Sequence, residues 1–148
     1  KRIMNTDERH KTAKEDLEEG WAEEEWNGYW ISYDKAYLLN IISKLGIFDE
    51  NTAEDIARAV ACYTVKFGKK MNEIYEHLAD IEGVCTNAVA MRLKRGLDRA
   101  ENNGGLKFID GIVSGVVYDY DYGYTAKEFI ALLGSHMCDL DKVRIVKE

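Results

Sequence analysis

Residues 72–105, NEIYEHLADIEGVCTNAVAMRLKRGLDRAENNGG, decide how this chain is read. Ile74, Leu78 and Ile81 recur at helical spacing, which predicts an amphipathic helix over 74–82. Ala79 is small where two helices would cross closely. Gly83 supplies the positive φ that a sharp inter-helix turn demands. Thr86 is a good N-cap, and Val89, Leu93, Leu97 and Ala100 form one apolar stripe behind it, so a longer helix is predicted over 86–101. Asn102, Asn103, Gly104 and Gly105 end that helix. This is the grammar of a helix-turn-helix, whose second helix enters the DNA major groove. It is also the grammar of any two helices packed through a glycine turn.

The charge pattern bears on that choice. The 148 residues carry a net charge of −7, which argues against wholesale nucleic-acid binding. The distribution is uneven. Residues 1–28 hold nine acids against five bases, a net of −4. Residues 86–99 hold Arg92, Lys94, Arg95 and Arg99 against Asp98 alone. Local positive potential, not the global sum, attracts phosphates. On its own, such a set of bases is also an ordinary solvated helix face.

Outward from this core the chain reads as mainly α, with about five core helices in one bundle. Residues 1–20 are polar and charge-dense and predict a frayed helix or a disordered lead-in. In residues 21–37, WAEEEWNGYWISYDKAY, the spacing of Ala22, Trp26 and Trp30 by four predicts one helical face. That acidic, Trp-rich segment either packs on the domain or docks on a protein partner; packing is expected, because large apolar groups are usually buried. Residues 1–36 are read as this N-terminal segment and 37–148 as the helical domain. A helix over 37–45 closes at Gly46. Asn51 and Thr52 are expected to cap a second over 52–67, with Ile56, Val60, Tyr63 and Phe67 inward and Gly68 as its stop. Residues 106–124, LKFIDGIVSGVVYDYDYGY, predict either two short strands around Gly111–Gly115 or an irregular loop. A winged helix-turn-helix would place a hairpin there. Thr125 and Glu128 make a capping box for a last helix over 125–137. Val143, Ile145 and Val146 could frame a short edge strand.

From about 37 to 137 the chain resembles the C-terminal DNA-binding effector domain of the sporulation-initiation response regulator of endospore-forming bacteria. YLLNIISKLG at 37–46 resembles that family's opening helix and its terminal Gly. Residues 74–104 are similar, without a gap, to its helix-turn-helix. YTAKEFIAL at 124–132 resembles its late P-T-N-S-E-F-I-A segment, with Glu128, Phe129, Ile130 and Ala131 kept. The resemblance implies a DNA-binding transcription regulator that pairs on tandem sites, hence a homodimer on double-stranded DNA. The family reads bases with a Ser, two Arg and a Glu. Here Asn87, Ala88, Ala90 and Met91 stand at those positions, and its following Arg-His pair is Lys94-Arg95. The late Pro is Tyr124. Residues 1–36 are too few for the family's receiver domain, so control by aspartyl phosphorylation does not transfer.

The expected DNA-facing set is therefore Asn87, Ala88, Met91, Lys94, Arg95 and Arg99 on the longer helix, with Lys69 and Lys70 as further phosphate contacts. The alternative expectation is a protein-interaction module that keeps the fold and has lost specific DNA reading. Other chemistry is poorly supported. His136 and Cys138 lie two apart, and His77 and Cys85 flank the turn, but neither pair has the further ligands a closed zinc site needs. Asp119 and Asp121 alternate with tyrosines and lack the Gly and terminal Glu of an EF-hand loop. No nucleotide-binding or nucleophile-elbow motif is present. The chain reads as a non-enzyme without cofactor or metal. Cys62, Cys85 and Cys138 are three thiols with no CxxC, which predicts a reducing, cytoplasmic setting. No run is long enough for a membrane span.

Overall fold

The computed structural model describes residues 18–65, 70–113 and 123–147. The described chain is mostly helical, with a small three-stranded antiparallel sheet. It opens on a hairpin, β1 (Trp21–Trp26) and β2 (Tyr29–Asp34). Helices α1 (Lys35–Lys44), α2 (Glu50–Val65), α3 (Met71–Glu82) and α4 (Thr86–Asn102) follow, then a short 3-10 helix (Leu106–Gly111). Helix α5 (Ala126–Asp139) and strand β3 (Val143–Lys147) complete it. Strand order is β1-β2-β3.

The helical face expected at residues 21–37 is instead this hairpin. Asn27 and Gly28 occupy its two-residue turn with φ of 55° and 81°. Two positive φ values are what a type I′ turn requires, and Asn-Gly is its preferred sequence. Trp26 pairs with Tyr29, so the next residue, Trp30, points to the opposite face of the sheet. Both indoles are buried, at 8% and 6% exposure, but only Trp26 joins the main core. Ala22, Glu24 and Trp26 share the inner face with Ile31 and Tyr33, against α2.

Helix α2 is central, packing against α1, α3, α4, α5 and both strands of the hairpin. Ile56, Val60 and Tyr63 are buried along it, as the sequence predicts. Its cap is not Asn51 or Thr52 but Asp49, whose carboxylate accepts from the Thr52 N–H (3.0 Å) and Thr52 hydroxyl (2.6 Å). Phe67, Gly68 and Lys69 lie outside the described residues, as do Asp119 and Asp121. Within 106–113 the chain forms the 3-10 helix and no strand; the rest of the expected hairpin, 114–122, also lies outside them. The capping box of α5 forms in both directions, Glu128 N–H to Thr125 Oγ1 (3.1 Å) and Thr125 N–H to Glu128 Oε1 (3.0 Å). The tail is the edge strand β3, paired with β2.

Candidate nucleic-acid interface

Helices α3 and α4 are joined by a tight turn. Gly83 ends α3 in the left-handed region at φ 69°, and the Val84 N–H donates to Ala79 C=O at 3.1 Å. Ile74, Leu78 and Ala79 are buried, whereas Ile81 is 48% exposed and does not extend the inward stripe. Thr86 is the first helical residue of α4 rather than its cap. Cys85 holds the cap position, without a side-chain bond. Val89, Leu93, Gly96, Leu97 and Ala100 are buried, so the opposite side of α4 faces solvent.

Arg92 fixes the angle of this pair. Its guanidinium donates to Asp55 of α2 at 2.7 Å and to Glu82 of α3 at 2.6 Å. Asp55 is almost fully buried. Burial, with the Glu82 charge alongside, pushes its carboxyl up to about 6 despite the arginine. Arg92 is thus spent on tying three helices together. A second network anchors α3 to the hairpin. The buried Glu24 carboxylate bonds His77 Nε2 at 2.9 Å and lies 3.5 Å from Arg58 Nε. Arg58 reaches Glu54 at 3.8 Å, and Glu54 pairs with Lys35. His136 instead meets the Tyr37 hydroxyl at 2.8 Å, so His77 and His136 both tie separate elements together.

Of the predicted site residues, Asn87, Ala88, Met91, Arg95 and Arg99 line one open groove of about 580 Å³. Asn87, Met91, Arg95 and Arg99 are spaced by four and form one exposed stripe. Lys94 and Lys70 are exposed but lie outside the groove lining. Among the described residues, no ion pair engages Lys70, Lys94, Arg95 or Arg99. Asp49 and Thr52, at the start of α2, form the facing wall together with Cys85. The sequence reading missed these; the only signal was the Asp-x-x-Thr capping pattern at 49–52. The Thr52 bonds hold the Asp49 carboxyl below its ordinary range. One fixed negative charge therefore faces Arg95 and Arg99. The arrangement offers cations, one amide and one thioether on an exposed helix face, with the Asp49 carboxylate and the Cys85 thiol beside them. No protein-family model, curated protein or solved structure matches this chain.

Proposed function

We propose that this protein is a DNA-binding transcription regulator in which α3, the Gly83 turn and α4 act as a helix-turn-helix. Helix α4 would lie in the major groove. The observation that supports this most is the division of labour on α4: Arg92 is tied inward, while no ion pair among the described residues engages Lys94, Arg95 or Arg99 on the solvent side. Asn87 can pair with adenine and Met91 can touch a thymine methyl. Arg95 and Lys94 can meet guanine edges or phosphates, and Lys70 and Arg99 can meet phosphates. Each bidentate base contact absent relative to the resembled family forfeits about 1–3 kcal/mol of discrimination, so looser specificity is expected. Three free thiols fit a reducing, cytoplasmic setting.

Titration of a labelled duplex across a salt series tests the proposal. Wild type should bind at low salt and weaken steeply as salt rises. Lys94→Ala with Arg95→Ala, checked for folding by circular dichroism, should bind more weakly and with a flatter salt slope. Absence of duplex binding at low salt, or equal binding by the double variant, would reject it.

One observation favours the second reading, a protein-interaction module. Ile81, Val84 and Met91 are all more than a third exposed around the turn. A partner that covers them should protect them from solvent without any dependence on Lys94 and Arg95.

A further inference from the structure

A second hollow, of about 190 Å³, lies beside the groove, between the α1–α2 connection and the C-terminal half of α4. Ile47 and Phe48 of the connection supply its apolar lining. Gly96 of α4 adds backbone without a side chain. Ile47 is buried, whereas Phe48, 73% exposed, leaves its ring at the rim. An apolar lining with a few placed polar groups is the usual make-up of a small-molecule site.

Two opposite charges line the same hollow, Asp49 from the connection and Arg99 from α4. The Asp49 carboxylate is held in place through Oδ2, which accepts from the Thr52 N–H (3.0 Å) and hydroxyl (2.6 Å). Among the described residues, nothing engages its Oδ1. Those two bonds, with Arg99 nearby, hold the carboxyl below its ordinary range, so it is ionised at neutral pH. Arg99 keeps its charge at any physiological pH. It acts on Asp49 through space alone, and among the described residues no ion pair engages either. The two charges share an opening without neutralising each other. The Asn103 amide lies in the same lining.

That combination selects a ligand. A plain carboxylate would meet Arg99 but also the Asp49 charge. An amine would meet Asp49 but also the guanidinium. A neutral apolar molecule would strip water from both charges and replace none of it. A zwitterion with an apolar side chain satisfies all three demands at once. Its ammonium donates to Asp49 Oδ1, its carboxylate accepts from Arg99, and its side chain covers Ile47 and Phe48. We propose that this hollow binds a free α-amino acid with a large apolar side chain. Occupancy of the hollow does not require that α4 bind DNA.

Isothermal titration calorimetry of the full chain with L-phenylalanine tests this. Two analogues each lack one charge: 3-phenylpropionate lacks the ammonium and 2-phenylethylamine the carboxylate. Wild type should bind phenylalanine saturably, and each analogue at least about tenfold more weakly. Asp49→Asn removes the charge and retains a good capping side chain. It should weaken phenylalanine about tenfold and leave 3-phenylpropionate no weaker than in wild type. Arg99→Gln should weaken phenylalanine about tenfold and spare 2-phenylethylamine. Phe48→Ala, at an exposed site, should weaken phenylalanine as well. Far-UV circular dichroism checks that each variant stays folded. No saturable binding of phenylalanine at millimolar concentrations overturns the proposal. So does either analogue binding as tightly as phenylalanine, or phenylalanine binding that both charge variants leave unchanged.

Discussion

Gly96 of α4 meets Thr52 of α2 at a crossing that leaves no room for a side chain: a Cβ on residue 96 would lie 2.4 Å from the Thr52 Cγ2. Because the Thr52 hydroxyl also donates to Asp49, the side chain cannot swing aside without losing that bond. In an open helix, Gly→Ala gains up to about 1 kcal/mol. Here overpacking should outweigh that gain, and Gly96→Ala should lower stability by about 1–2 kcal/mol. Adding Thr52→Ser, which removes the Cγ2 and keeps the hydroxyl, should recover most of the loss. Urea midpoints of the two variants decide it; a stabilised Gly96→Ala would mean a looser crossing than the one described.

Glu24 is a single acid shared by His77 and Arg58. Its removal leaves His77, 17% exposed beside Trp26, without that carboxylate, and leaves Arg58, 29% exposed, with Glu54. Breaking a buried pair on one side is costly, and partial exposure of the partners moderates it. Glu24→Ala should therefore cost roughly 2–3 kcal/mol in equilibrium unfolding. Glu24→Gln, which can still accept from His77, should cost less. Equal losses would show that the charge, and not the hydrogen bond, matters there.

Asp55 makes a prediction about pH. Its folded carboxyl titrates at about 6, above the ordinary 3.8. Between those values the folded chain holds a proton that the unfolded chain has released. Stability from this group is complete below the ordinary value and is lost as pH rises through about 6. With Arg92 still part-solvated, the change is on the order of 1–2 kcal/mol. Asp49 and Glu128 act oppositely and lower down. Their carboxyls are held below the ordinary range, so their contribution is lost only as pH falls through those lowered values. Asp55→Asn should accordingly flatten the stability profile between pH 4 and pH 7 relative to wild type. The test is chemical denaturation at both ends of that window, and an unchanged profile would refute the assignment.

The helices were legible because each repeats apolar residues at a helical interval with a stop behind it. Val89, Leu93 and Leu97 before Asn103 and Gly104 are the plainest case. The hairpin was hidden by a coincidence of spacing. Ala22, Trp26 and Trp30 lie four apart, yet the two-residue turn between the last two reverses the chain and sends the indoles to opposite faces. Asn27-Gly28 was the local signal that should have outweighed that interval. The groove was half legible. Asn87, Met91, Arg95 and Arg99 follow from period alone. That Arg92 turns inward does not, because its partners are 10 and 37 residues away, and only the fold brings them to one guanidinium.

Cys85 allows the groove itself to be probed. It is exposed, sits at the cap position of α4 and lines the same hollow as Asn87, Met91, Arg95 and Arg99. Cys62 is buried and its thiol is pushed up by burial; Cys138 is partly buried and is pushed up by burial and by Asp139. The thiolate is the reactive form, so a maleimide at neutral pH should modify Cys85 first. If duplex DNA occupies the groove, saturating duplex at low salt should slow that labelling by roughly tenfold, and added salt should restore the rate. Protein already carrying the adduct should bind duplex more weakly, since the bulky group stands where the backbone must approach. The Lys94→Ala, Arg95→Ala double variant should show little protection at the same duplex concentration. Mass spectrometry of the labelled peptide gives the site and the rate together. A Cys85 rate indifferent to saturating duplex would place any bound nucleic acid away from α4, and would leave the apolar cluster at Ile81, Val84 and Met91 as the surface to pursue.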